Sequence, residues 1–164
     1  MATRTVTAKD YMKPYATNLN RTGAGGVEGA AQTFGLGTPL IFATTSNHEN
    51  RLIVTGSDAT SGIVGVSSVA ASGTTDTPMT YWIADNGNQF VGVVQSTGTL
   101  AYTQVGLQCG IVPDTTVSPT IYRVDYSDTT NKSVEITGLV DDVGTVNGRV
   151  SFQFISAARI PFQG

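Results

Sequence analysis

A single histidine, a single cysteine and two groups of aspartates are the residues of this chain whose chemistry could be put to use. His48 stands beside Glu49 in "SNHENRL", but a zinc hydrolase of the His-Glu-x-x-His kind needs a second histidine where this sequence has Leu52. A Ser-His-acid triad would have to use the same histidine, and no Gly-x-Ser-x-Gly elbow accompanies it. Asp125, Asp128 and Asn131 in "DYSDTTN" resemble a calcium loop only loosely. Their spacing is three rather than two, the sixth residue is Thr130 in place of glycine, and the twelfth is Ile136 in place of glutamate. Asp141 and Asp142 are adjacent, so they diverge on a strand or sit solvated in a loop, unlike the facing pair of a hydrolase. Cys109, in "VGLQCGIV", reads as a small buried hydrophobe, and its isolation excludes an intrachain disulfide and zinc sites built from several cysteines. The expectation is a protein that is not an enzyme and has no metal or cofactor site.

"NRTGAGGVEGAAQ" raises the remaining chemical question, since clustered glycines can cradle a phosphate. A dinucleotide fingerprint starting at Gly23 would need a sixth-position glycine, and Glu28 is there. A nucleoside-triphosphate loop needs Gly-Lys followed by Ser or Thr, and the chain has no Gly-Lys pair. The stretch therefore reads as a joint between unlike parts. Residues 1–26 are expected to be a flexible, extended docking arm, and residues 27–164 a β-rich body.

Charge supports that division. The chain of 164 residues carries −3 overall, but residues 1–25 hold Arg4, Lys9, Lys13 and Arg21 against Asp10 alone, leaving −6 for the rest. Four dispersed cations make a thin footprint for nucleic acid, so protein docking is the expected use and no direct nucleic-acid binding is expected. Tyr11, Met12, Tyr15 and Leu19 are spaced with neither helical nor strand period, and Pro14 breaks any helix begun at Ala8. Extended, such an arm reaches about 85 Å at ~3.3 Å per residue. Deleting residues 1–22 is then expected to leave the body's melting nearly unchanged. Only 13% of residues are charged, which leaves a surface of hydroxyl and amide groups suited to contact with other subunits. No apolar run approaches a membrane span and the N-terminus lacks an apolar signal core, so a soluble protein made in the cytoplasm, without membrane contact, is expected.

The elements that would position these residues are short strands. "PLIFAT", "RLIVT", "GIVGVSSV", "MTYWIA", "QFVGVVQ", "TIYRVDY", "SVEITGLV" and "GRVSFQFI" give about eight candidates separated by turn residues, with no helical amphipathicity. The fold class is all-β, a compact antiparallel β-barrel or β-sandwich with an extended N-terminal arm. Asn86-Gly87 and Asn147-Gly148 each suit a tight hairpin turn, and the second also suits a longer loop. In "GRVSFQFI", Val150, Phe152 and Phe154 share the inner face of a half-buried strand, with Ser151 and Gln153 opposite. In "MTYWIA", Met79, Tyr81 and Ile83 face the core, which leaves Trp82 either an exposed interface anchor or covered by a second layer.

From "SGIVGVSSVAASG" through "TLAYTQVGLQCGIV" to "VDYSDTTNKSVEITGLVDDVGTVNGRVSFQF", the order of features resembles the cement or decoration proteins of tailed-bacteriophage heads. These features are a Gly-Thr-Pro-Leu strand, an Ile-Val-Gly-Val strand, a Val-Gly step, a Val-Asp strand and a closing Asn-Gly-Arg-Val strand, over roughly residues 37–155. The resemblance implies a structural virion protein that binds the outer surface of an assembled capsid and stabilises it. Its partners would be the major capsid protein and two further copies of itself in a homo-trimer, and its location the outer surface of the virion. The N-terminal segment would reach onto the capsid protein, giving Arg4, Lys9, Tyr11, Met12, Lys13, Tyr15, Leu19, Arg21 and Trp82 as interface candidates. A receptor- or glycan-binding module of a virion, stacking sugars on Tyr81, Trp82 and Tyr102, is the alternative, with a hydrolase behind it.

Overall fold

The computed structural model describes residues 2–15, 22–43, 51–55, 60–85, 87–95 and 98–159. These residues form eleven strands: β1 (Lys13–Pro14), β2 (Thr22–Glu28), β3 (Pro39–Phe42), β4 (Arg51–Val54), β5 (Ile63–Ser67), β6 (Pro78–Ile83), β7 (Phe90–Val93), β8 (Gln108–Asp114), β9 (Ile121–Asp125), β10 (Val134–Leu139) and β11 (Arg149–Phe154). All eight short runs expected as strands are strands, and β1, β2 and β8 are additional. The all-β class holds; the count of strands is higher.

Two units result. Strands β2-β4-β3-β5-β6 close into a barrel, because β6 pairs antiparallel with β2, which in turn pairs in parallel with β4. Its filling is Phe34, Leu40, Leu52, Val64, Met79 and Tyr81. The other six strands form a sheet in the order β1-β7-β11-β10-β8-β9. That sheet curls until β9 meets β7 again, through a parallel bridge between Val94 and Val124 and a 3.0 Å bond from the Gln95 amide to the Val124 carbonyl. Closure of this kind leaves few free strand edges. Inside lie Phe90, Phe152 and Phe154, with ring centroids 5.4 to 5.9 Å apart, packed with Ile111, Val124, Val134, Ile136 and Val150. Ile63, Val66 and Ala84 from the barrel side belong to the same cluster, and the Tyr122 hydroxyl donates to the Thr55 carbonyl at 2.8 Å. Apolar contact is thus continuous between the two units.

The N-terminal expectation is corrected. Met12 is completely buried in the large core cluster, and Lys13 and Pro14 pair with Val91 and Phe90 of β7. Residues 2–15 therefore strap their own body. The glycine-rich stretch is no joint: Thr22–Glu28 is a barrel strand, with Gly25 opposite Thr80 and Gly26 opposite Met79. A ladder is made by backbone groups, which glycine supplies as well as any residue, and the register shift between Thr22 and Gly25 is the irregularity glycine commonly accompanies.

Three smaller expectations also change. Ser151 is buried like its neighbours Val150 and Phe152, and its hydroxyl accepts a bond from Thr137. Trp82 is half-buried, because the outer side of β6 packs on the larger core while Tyr81 fills the barrel. Strands β6 and β7 lie in different units, so the Asn86-Gly87 segment joins the units rather than a hairpin; Asn86 itself lies outside the described residues. Asn147, with φ of 56°, sits at the end of a longer loop between β10 and β11.

Candidate docking surface

The N-terminal strap is held by backbone and charge together. The Arg4 amide donates to the Val146 carbonyl at 3.0 Å and the Val146 amide to the Ala2 carbonyl at 2.8 Å, a parallel bridge centred on Thr3. Thr7 then caps a single 3-10 turn, Ala8–Asp10. The Asp10 carboxylate receives the Thr7 amide at 2.9 Å and the Arg4 guanidinium. Burial alone would raise the Asp10 pKa, but the Thr7 amide and the Arg4 cation outweigh it and hold it below the usual carboxylate value. On the body side, Asp141 takes the Arg149 amide at 2.9 Å, its Nε at 3.1 Å and its Nη2 at 2.6 Å, with Arg4 Nη1 3.8 Å away. The bonds from Arg149 depress the Asp141 pKa and raise that of Arg149. Arg4, Asp10, Asp141 and Arg149 thus neutralise one another.

A second polar group locks the seam of the curled sheet. Arg123 on β9 is buried, pairs with Asp114 through Nε at 2.6 Å, and sends Nη1 to the Val94 carbonyl at 3.2 Å and to Asn147 Oδ1 at 3.3 Å. Asn147 Nδ2 continues to the Arg4 carbonyl at 3.3 Å. Seam, β10–β11 loop and strap are therefore linked by one chain of bonds.

Val146 is flanked on its other side by Thr99, and the neighbouring bonds run from the Leu100 amide to the Thr145 carbonyl at 3.1 Å and from the Gly144 amide to the Leu100 carbonyl at 2.9 Å. The loops 98–107 and 140–146 consequently adjoin at one end of the molecule, next to Ala2–Arg4. Gln104 is folded inward, accepting from the Ala101 amide at 3.2 Å and donating to the Thr99 carbonyl at 2.9 Å. Gly106, at φ of +84°, donates to the Ile136 carbonyl at 2.8 Å. These two loops carry three of the six exposed large apolar residues among the described ones: Tyr102 at 78%, Val105 at 44% and Val143 at 48% exposure. Beside them lies a groove of about 330 Å³ lined by Ala2, Thr3, Arg4, Val140, Asp141, Asp142 and Thr145.

The sequence-derived candidates distribute unevenly over this surface. Arg4 is at the groove, but engaged in ion pairs. Lys9 and Lys13 are exposed, Lys13 Nζ lying 5.7 Å from the ring centre of the half-buried Tyr11, and Tyr15 is 39% exposed. Met12 is a core residue and cannot meet a partner while the strap is seated. Trp82 belongs to the barrel and is not brought to this end. Leu19, Arg21 and His48 lie outside the described residues. For sugar stacking, Tyr81 is removed by its burial and Tyr102 remains. Val105 and Val143 are not among the sequence-derived candidates, although each precedes a glycine after polar residues, in "TQVG" and "DDVG", where a valine has no local apolar partner.

Of the aspartates considered for metal or acid–base work, Asp141 is held by Arg149, and Asp125 and Asp128 are held by local turn bonds. Asp125 accepts from Ser127 N and Oγ at 3.0 and 2.6 Å, and Asp128 from Thr130 N, Asn131 N and Asn131 Nδ2 at 3.0, 2.9 and 3.1 Å. Among the described residues no three His, Cys, Asp or Glu side chains gather as a metal site. Burial, with Asp125 and Asp128 nearby, pushes the Cys109 thiol up to about 12, so it holds no thiolate near neutrality. Comparison of the chain with family models, with curated proteins and with solved structures finds no match in any of the three.

Proposed function

We propose that this is a structural virion protein that binds the outer surface of an assembled bacteriophage capsid and stabilises it. The observation that carries the reading is the end face: Tyr102, Val105 and Val143 are exposed on loops pinned by backbone bonds to the strap and to β10, while Arg4, Asp10, Asp141 and Arg149 beside them neutralise one another. Such a face loses little entropy and little charge hydration on docking. The order of sequence features that resembles cement proteins supplies the class of partner. A protein that binds the assembled shell and not its dispersed subunits stabilises the shell by mass action, about 2.7 kcal/mol per site at a hundredfold excess over the dissociation constant. Trimers would add avidity. Sedimentation with empty capsids tests this: the protein should pellet at near-stoichiometric occupancy, raise the shell's melting temperature, and lose both effects in Tyr102→Ser. Failure to pellet at any salt concentration would overturn it. A receptor- or glycan-binding module of a virion is favoured by one feature only, the exposure of Tyr102, and a glycan array without hits counts against it.

A further inference from the structure

We propose that the end face takes an extended, cationic and aliphatic segment of a partner protein, with a Lys or Arg set against Asp142 and its apolar neighbours on Tyr102, Val105 and Val143. The proposal rests on the docking reading only in taking the occupant to be a protein. Three features of the face select that chemistry.

The first is an open backbone edge. The bridge to Val146 uses the Arg4 amide and the Ala2 carbonyl, so the amide and carbonyl of Thr3 point away from Val146, and Thr3 is among the residues that line the groove. An extended segment laid there can add its own backbone bonds. The second is charge. Arg4 and Arg149 cancel Asp10 and Asp141, whereas Asp142 is exposed at the groove and its carboxylate enters no ion pair or hydrogen bond with the described residues. What remains uncompensated is one negative charge, which a cationic side chain answers. The third is size. Three partly exposed side chains offer far less than the ~800 Å² each partner of a stable free dimer contributes. The face therefore suits a short segment bound repeatedly across a lattice better than a second copy of this chain.

Amide-resolved NMR titration of the full-length protein with two blocked pentapeptides, acetyl-Thr-Val-Lys-Val-Thr-amide and its Lys-to-Glu counterpart, tests the proposal. Shifts are expected in Thr3 and in residues 99–106 and 140–146, with the lysine peptide about fivefold tighter at low salt, the upper end for an exposed ion pair, and less so at high salt. Asp142→Asn should erase the difference between the peptides without altering the remaining spectrum, and Tyr102→Ser should weaken both. Equal binding of the two peptides, shifts centred elsewhere, no shifts up to the peptides' solubility limit, or concentration-dependent broadening of this face by self-association would each overturn it. Capsid sedimentation distinguishes the two readings. Peptide binding at this face without capsid binding leaves this proposal standing and removes the capsid; capsid binding unaffected by Asp142→Asn, with no peptide preference, does the reverse.

Discussion

Truncating Met12 to alanine removes a side chain that is wholly buried among residues of the aromatic core, its Cγ lying 3.5 Å from where a Cβ on Gly92 would stand. Full burial of a methionine stabilises by about 1.5–3 kcal/mol. The vacated space adds a cavity term, so ~3 kcal/mol is the expected loss, inside the 2–5 kcal/mol range of such truncations. For a chain of this size each kcal/mol moves the melting temperature by about 2–4 °C, which makes the expected drop about 6–12 °C. Calorimetry or near-ultraviolet circular dichroism measures it directly. Two controls isolate the cause: Met12→Leu conserves volume and should cost under ~1.5 kcal/mol, and Lys13→Ala, one residue on and exposed, should stay within ~0.5 kcal/mol. Deleting residues 2–15 should destabilise more than Met12→Ala, since it also removes β1 and the Arg4–Asp10 pair. Melting of Met12→Ala within ~1 °C of the wild type would refute the reasoning and return the segment to the role of a free arm.

Two further outcomes are expected. A Cβ on Gly65 would strike the Trp82 carbonyl and the Tyr81 ring, whereas one on Gly25 meets nothing within 4 Å. In urea denaturation Gly65→Ala should cost at least ~1–3 kcal/mol and Gly25→Ala should be neutral or slightly stabilising; equal effects would contradict the close packing of β5 on β6 at Gly65. Acid sensitivity follows from Asp10, Asp114 and Asp141, all held below the usual carboxylate value. A depressed folded pKa stabilises above the unfolded value of about 3.9 and loses that contribution as pH falls through the folded one, so stability should be level from about pH 8 to 5 and fall below about pH 4. Asp141→Asn should cost ~1.5–3 kcal/mol at neutral pH, as for a hydrogen bond to a charged group, and flatten the acid limb. An acid limb identical to that of the wild type would remove Asp141 from the account.

Eight strands were legible because each states its burial locally: Val150, Phe152 and Phe154 alternate, and turn residues bound the run. The three that were not legible state nothing of the kind. Strand β1 has two residues, β2 has glycine where alternation would be read, and β8 surrounds Cys109 with a run that mixes glutamine, glycine and proline. Their places are fixed by partners far along the chain, Gly26 by Met79 and Lys13 by Val91. The same distance hid the role of Asp141, whose adjacency to Asp142 suggested solvated charge, while Arg149 returns from the far side of a loop to claim it. Met12 was legible as apolar and mispositioned, since nothing in a sequence distinguishes a side chain that covers a partner from one that covers its own core. Tyr102 was legible as an aromatic; that its loop is pinned through Gln104 and Gly106 was not.

The geometry couples the end face to the buried seam of the curled sheet. Pulling outward on Tyr102 or Val143 loads the bonds between Leu100, Gly144 and Thr145, then the two bonds of Val146 to the strap, and behind them the Asn147–Arg123–Asp114 chain that holds the seam. Leu100, which makes two of these bonds, is 1% exposed, and Val124 of the seam and Met12 of the strap are 0% exposed. Loosening such a face by itself would require opening a seam whose polar partners are buried, and a buried ion pair that loses one member is left with an uncompensated charge. Local opening should therefore be rare at these loops compared with ordinary surface turns. A docking surface built this way binds with its shape already set, so that contact energy is not spent on ordering the loops.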